Sequence, residues 1–199
     1  MENNRPQIML KAAMHYGLIL GIGLIVFKVA FFLLIDLNAY SFLNISLLTL
    51  LFSIVPLLAG VVLCMKRFRD KEFGGTMSYV EGLRYGTMLM LFAGILLAGY
   101  DLVFNNWISP DYVTQTQTII KDKTIEFMVR QKVPDSMIEQ QVAEFDKLIV
   151  AEDKKAKLMG PLYSIPMYAL SGLIISLIVA AFLKRDNKDA FSSAMKGVD

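Results

Sequence analysis

Four apolar runs, each longer than 20 residues, decide what this chain can become; they cover about 12–35, 42–65, 82–104 and 162–183. A run of about 20 apolar residues spans a hydrocarbon core of about 30 Å. The expected fold is therefore all-α, a four-transmembrane-helix bundle forming a single membrane domain over 1–199. Composition agrees. The chain is 55% hydrophobic and 19% charged, with a mean hydropathy of +0.51, whereas soluble domains carry about 25% charged residues. A soluble enzyme domain is excluded. One cysteine, Cys64, allows no intramolecular disulfide or cysteine-based zinc cluster, and one histidine, His15, allows no His-rich metal site. A net charge of +2 gives no nucleic-acid signal.

The connections suggest an orientation. Residues 36–41 hold Asp36 and no Lys or Arg, whereas 66–84 hold Lys66, Arg67, Arg69, Lys71 and Arg84. With Arg5 and Lys11 at the start and Lys184, Arg185, Lys188 and Lys196 at the end, one side collects eleven basic residues. By the positive-inside rule both termini and 66–84 are expected in the cytoplasm. Lys154, Lys155 and Lys157, close to the fourth run, are a mild counter-signal. The first run is preceded by basic residues like a secretory signal, but its 24 residues exceed the ~7–15 of a signal-peptide core. It is expected to stay as an anchor.

Residues 105–161 would then lie outside, and 57 residues are too many for a structureless connection. Ser109-Pro110-Asp111 reads as a helix start with Ser at the N-cap and Pro at the first helical position. Val133-Pro134 breaks that helix. Ser136, three residues before Glu139, reads as a second start. Ile138, Val142, Phe145 and Ile149 then form one apolar stripe, matched more weakly by Ile120, Phe127 and Met128 on the first helix. The expectation is an extracytoplasmic helical hairpin over 109–158, between spans three and four. It reads either as a spacer or as a docking surface for an envelope protein partner.

The 66–86 connection, KRFRDKEFGGTMSYVEGLRYG, is the most distinctive local sequence. Gly74-Gly75 can end the second helix in the left-handed region. Ser78 and Glu81 match a capping box for the third helix, and Gly82 and Gly86 form a G-x-x-x-G that admits a close neighbour. Lys66, Arg67, Arg69 and Lys71 are a candidate lipid-facing basic cluster. This stretch from Arg69 to Gly86, together with Trp107 to Tyr112 (W-I-x-P-D-Y), resembles the domain of unknown function 4199 family of Bacteroidota. The resemblance implies a four-helix inner-membrane protein and carries over no catalytic or ligand residues.

Lys28 and Asp101 are the clearly ionisable residues well inside the runs. Charges in hydrocarbon cost ~2.5–3.5 kcal/mol and usually face the bundle interior, so both are expected to point inward as a candidate polar pair. In a simple up-down bundle spans one and three would be diagonal. Ser46, Thr49 and Ser53 on the second helix, and Ser164, Tyr168, Gly172 and Ser176 on the fourth, read as packing seams. So do Gly17 and Gly21 on the first, and Pro56 and Pro166 are candidate kinks. No catalytic, cofactor-binding or metal residue is nominated. The leading functional expectation is a non-enzymatic, multi-pass protein of the bacterial inner membrane that scaffolds or contacts other envelope components, its partners being the bilayer, an envelope protein or a second copy. An oligomeric small-solute carrier or channel is the alternative. A lipid-modifying enzyme ranks third, with Glu81 and Arg84 as its thin candidate site.

Overall fold

The computed structural model describes residues 5–158 and 160–185. Lys188 and Lys196, part of the orientation signal, lie outside the described residues. Six α-helices follow in order: α1 (Arg5–Leu34), α2 (Phe42–Glu72), α3 (Tyr79–Val103), α4 (Tyr112–Arg130), α5 (Asp135–Leu158) and α6 (Gly160–Leu183). A single 3₁₀ turn (Leu37–Ala39) joins α1 to α2, and a π-helical turn (Phe104–Ile108) prolongs α3. Among the described residues there is no strand, only one isolated bridge between Met77 and Arg185. Among the described residues four helical segments, Arg5–Leu34, Phe42–Glu72, Tyr79–Ile108 and Tyr163–Leu183, are long and apolar enough to cross a membrane. Pro56 and Pro166 both lie inside helices.

The chain divides into two compact units, with α1, α2 and α3 contributing to both. The first holds residues up to 24, 56–97 and from 164 onward. Its core is α3, whose small residues let neighbouring backbones approach. A Cβ added at Gly82 would lie 2.9 Å from the Ala180 Cβ, and one at Gly94 2.6 Å from the Tyr168 Cβ. Gly86 faces Ser176 in the same way, and Met90 faces Gly172. Each step of four along α3 is thus matched by a step of four back along α6, the register of two antiparallel helices meeting on one face of each. Of the seam expected on α6, Tyr168, Gly172 and Ser176 face Gly94, Met90 and Gly86 of α3.

Against another face of α3 lies α1. A Cβ at Gly17 would sit 2.7 Å from the Leu89 carbonyl oxygen, and one at Gly21 3.2 Å from the Leu96 Cβ. Numbers rise together along both helices, so they run parallel. This corrects the expectation that spans one and three are diagonal: α1 and α3 are direct neighbours, because Gly17 and Gly21 remove the side chains that would hold them apart. Facing a third side of α3, α2 presents Phe68, whose ring stacks on Tyr85 at 3.8 Å and 4°. Tyr85, Phe68, Met65, Leu89 and Met90 are fully buried there.

The second unit comprises 25–55 and 98–163. It is held by α4 and α5, which pack side by side around half-buried Ile120, Phe127 and Met128 on one and Ile138, Val142, Phe145 and Ile149 on the other. The expected break falls between them. Its detail is a C-terminal cap in which the Val133 N–H donates to the Met128 carbonyl and the Lys132 N–H to Val129. Lys132 takes the left-handed conformation there, φ 56°. Two helix starts differ from expectation. The residue capping α4 is Asp111, with Ser109 two residues outside, because the π-helical turn carries the preceding helix to Ile108. Helix α5 begins at Asp135, and the Pro134 carbonyl accepts from Met137 and Ile138. Ser136 therefore lies inside α5 and does not cap it.

The α3–α6 seam leaves no room at Gly86, whereas a Cβ at Gly99 meets nothing within 4 Å. Gly86→Val should lower thermal stability in detergent by about 1–3 kcal/mol through overpacking. Gly99→Ala should be neutral or stabilising by up to about 1 kcal/mol. Equal effects of the two substitutions in a melting experiment would contradict this packing.

Candidate functional site

The 66–86 stretch is built into the first unit more tightly than its charge suggests. Helix α2 continues to Glu72, and Gly74 and Gly75 follow with φ of 61° and 83°, a conformation that side chains with a Cβ resist. The Met77 N–H donates to the Arg185 carbonyl and the Arg185 N–H returns the bond, at 3.0 and 2.9 Å, tying the connection to the end of α6. The Ser78–Glu81 capping box is complete. The Ser78 N–H donates to Glu81 Oε2 at 2.8 Å, and the Glu81 N–H to Ser78 Oγ at 3.3 Å. The other carboxylate oxygen of Glu81 accepts from Arg5 Nη1 at 2.9 Å. Arg5 also lies 5.2 Å from the centre of the Phe73 ring.

Two expectations change here. Arg69 is not lipid-facing: it is buried, donating to the Leu183 carbonyl at 3.2 Å and to Asp70 at 2.8 Å. It closes the C-terminal end of α6, where unpaired carbonyls attract a cation. Lys66, Arg67 and Lys71 are exposed and make up what remains of the basic cluster. Glu81 is bound to Arg5 and to its own cap, a structural use that leaves the Glu81–Arg84 pairing without support.

In the second unit the structure brings Lys28 and Asp101 together. Lys28 Nζ donates to Asp101 Oδ1 at 2.5 Å, and the same ammonium lies 5.7 Å from the Tyr100 ring centre. Lys28 is the more exposed partner, its side chain 42% exposed against 24% for Asp101. The contact needs no reach across a bundle, since α1 and α3 are neighbours. Phe32, Phe104 and Tyr112 form an aromatic cluster beyond it, with ring centres 5.0–5.3 Å apart. An aromatic cluster joining the ends of α1, the π-helical turn and α4 fixes where α4 begins.

The hydroxyl stripe on α2 is not a packing seam. Ser46, Thr49 and Ser53 are exposed and line a groove of about 310 Å³. Ile45, Leu50 and Ile54 supply apolar walls, and Ile120 and Lys123 close it from α4. Ser46 donates to the Phe42 carbonyl at 2.9 Å, and Ser53 donates to that of Thr49. Phe42 packs on Phe127 with ring centres 5.3 Å apart. Half of this groove was visible in the sequence as the hydroxyl spacing. Lys123 had no signal, because it lies some seventy residues away from its α2 neighbours. Between the two helices Lys121 bonds Asp146 at 2.6 Å, and along α4 Arg130 bonds Glu126 at 2.6 Å. Among the described residues no three His, Cys, Asp or Glu side chains gather as a metal site.

Four long apolar helices and a charged pair of helices inserted before the last one define a multi-pass membrane protein. The chain belongs to the protein family of unknown function DUF4199, whose sequence model matches residues 15–185. Comparison with curated proteins and with solved structures gave no match.

If the Lys28–Asp101 bond stabilises the fold, the two substitutions should not be additive. Lys28→Met should lower the melting temperature, and adding Asp101→Asn should recover part of the loss, with a coupling of about 1 kcal/mol for so exposed a pair. Strictly additive losses in that cycle would remove the pair's role.

Proposed function

We propose that this is a non-enzymatic protein of the bacterial inner membrane, with both termini cytoplasmic, that contacts another envelope component through α4 and α5. The supporting observation is the construction of that helix pair. Its apolar stripes are spent on each other, and its remaining surface is charged on both signs and solvated, so it is a self-supporting module and not a slack connection. Exposed apolar side chains remain on it, Met137, Leu148 and Val150 on α5 and Val129 on α4, as a contact surface requires. The orientation rests on the basic residues. Lys66, Arg67 and Lys71 are exposed beside the α2–α3 connection, whereas the α1–α2 connection carries Asp36 and no cation.

A reaction would need a nucleophile or an acid–base pair held for a substrate, and two carboxylates that could serve have structural partners instead. Glu81 is consumed by its cap and Arg5, and Asp101 by Lys28.

The full-length protein with Cys64→Ser and Arg130→Cys should react with an impermeant maleimide in intact cells. Reaction only after lysis would reverse the orientation. A cross-linkable partner captured through Leu148, and lost when 114–157 are replaced by a short linker, is the expected outcome for the contact role. Unchanged partners after that replacement would contradict it.

A further inference from the structure

The α2–α4 groove has the chemistry of an amphiphile site. We propose that it binds one anionic phospholipid of the leaflet surrounding the N-terminal half of α2, with the phosphate on Lys123 and an acyl chain along the groove past Ile45 and Ile54. A volume of about 310 Å³ lies at the lower end of ligand pockets, about 300–1,000 Å³. The groove looks polar from its sequence, with three hydroxyls, but two of them are already engaged within α2. The Ser46 and Ser53 hydroxyl protons are already donated to carbonyls of their own helix, so neither group needs a ligand donor or acceptor to be satisfied. A hydrocarbon chain can lie on them with little loss, whereas a polar solute would find few donors to replace its water.

The charge comes from α4, whose Lys123 lines the groove. The Lys123 ammonium has three donors, and among the described residues the carboxylate oxygen paired with it, Glu126 Oε2, is 3.7 Å away, beyond hydrogen-bond reach. The other oxygen of Glu126 is held by Arg130 at 2.6 Å. Among the described residues Lys123 is the one charged residue lining the groove, and no carboxylate lines it. An apolar trough with a lysine in its wall complements a lipid whose tail adjoins a phosphate, and the lysine selects for net negative charge over a zwitterion. A second copy of the chain would be expected to bring an apolar helix face, for which a buried lysine is a cost.

The full-length protein, released from nanodiscs of equal palmitoyl-oleoyl phosphatidylglycerol and palmitoyl-oleoyl phosphatidylcholine, can be read by native mass spectrometry. Retained phosphatidylglycerol should exceed phosphatidylcholine by about fivefold, as expected for one lysine at an anionic headgroup. Lys123→Gln should bring that ratio near unity while lipid is still retained. Ser53→Phe, which fills the groove, should release the lipid, and Ser46→Leu serves the same end should the first variant fail to fold. Lys147→Gln, exposed on α5, should leave the ratio unchanged. A preference that survives Lys123→Gln, lipid retention unaffected by both groove-filling variants, or a dimer that falls apart in them would each overturn the assignment, the last giving the groove to a second copy.

Discussion

Close backbone approach along α3 is what the first unit depends on. Between helices in lipid there is no hydrophobic driving force of the kind that builds a soluble core, so adhesion comes from dense van der Waals contact and a few polar bonds. Gly82, Gly86 and Gly94 on α3 meet Ala180, Ser176 and Tyr168 on α6, and Gly17 and Gly21 on α1 meet α3 on another side. Missing side chains at these positions are the means of attachment. A single added methyl at Gly86 would collide with Ser176, which is why the seam tolerates so little.

Polar bonds then lock what the small residues bring together. Arg69 closes the end of α6, Met77 and Arg185 pair through their backbones, and Arg5 joins α1 to the capping carboxylate of Glu81. The connection between α2 and α3 is therefore committed to structure, and beside it Lys66, Arg67 and Lys71 stay exposed. The second unit has a different character. It buries little, it carries the charged α4–α5 pair, and its α2 segment presents a groove where the first unit presents a seam.

Legibility in the sequence followed how local each signal is. The apolar runs, the Ser78–Glu81 cap, the Gly74-Gly75 stop and the break at Val133-Pro134 depend on neighbours within a few residues, and all appear where the sequence places them. Ser109 misled because a π-helical turn consumes the residues before it. Lipid-facing Arg69 was a reasonable reading of a basic run, but one guanidinium in that run turns onto a carbonyl 114 residues away. The α1–α3 neighbourhood could not be read from span order at all. Its signal was present in the Gly17 and Gly21 spacing, without anything to say which helix would answer it. Lys28 and Asp101 were found as a pair by their rarity, while their exposure followed from that unseen neighbourhood.

The most direct test is a disulfide between α1 and α3. In a Cys64→Ser background, Gly21→Cys with Leu96→Cys places two Cβ atoms about as close as a disulfide requires, since an ideal Cβ at Gly21 lies 3.2 Å from that of Leu96 and bridged pairs span roughly 3.5–4.5 Å. Mild oxidation in membranes should yield an intramolecular cross-link, seen as a linked peptide pair by mass spectrometry, while Gly23→Cys with Leu96→Cys should not. Failure of the first pair to cross-link under conditions where Gly82→Cys with Ala180→Cys does would return α1 to a diagonal position and contradict the packing around α3.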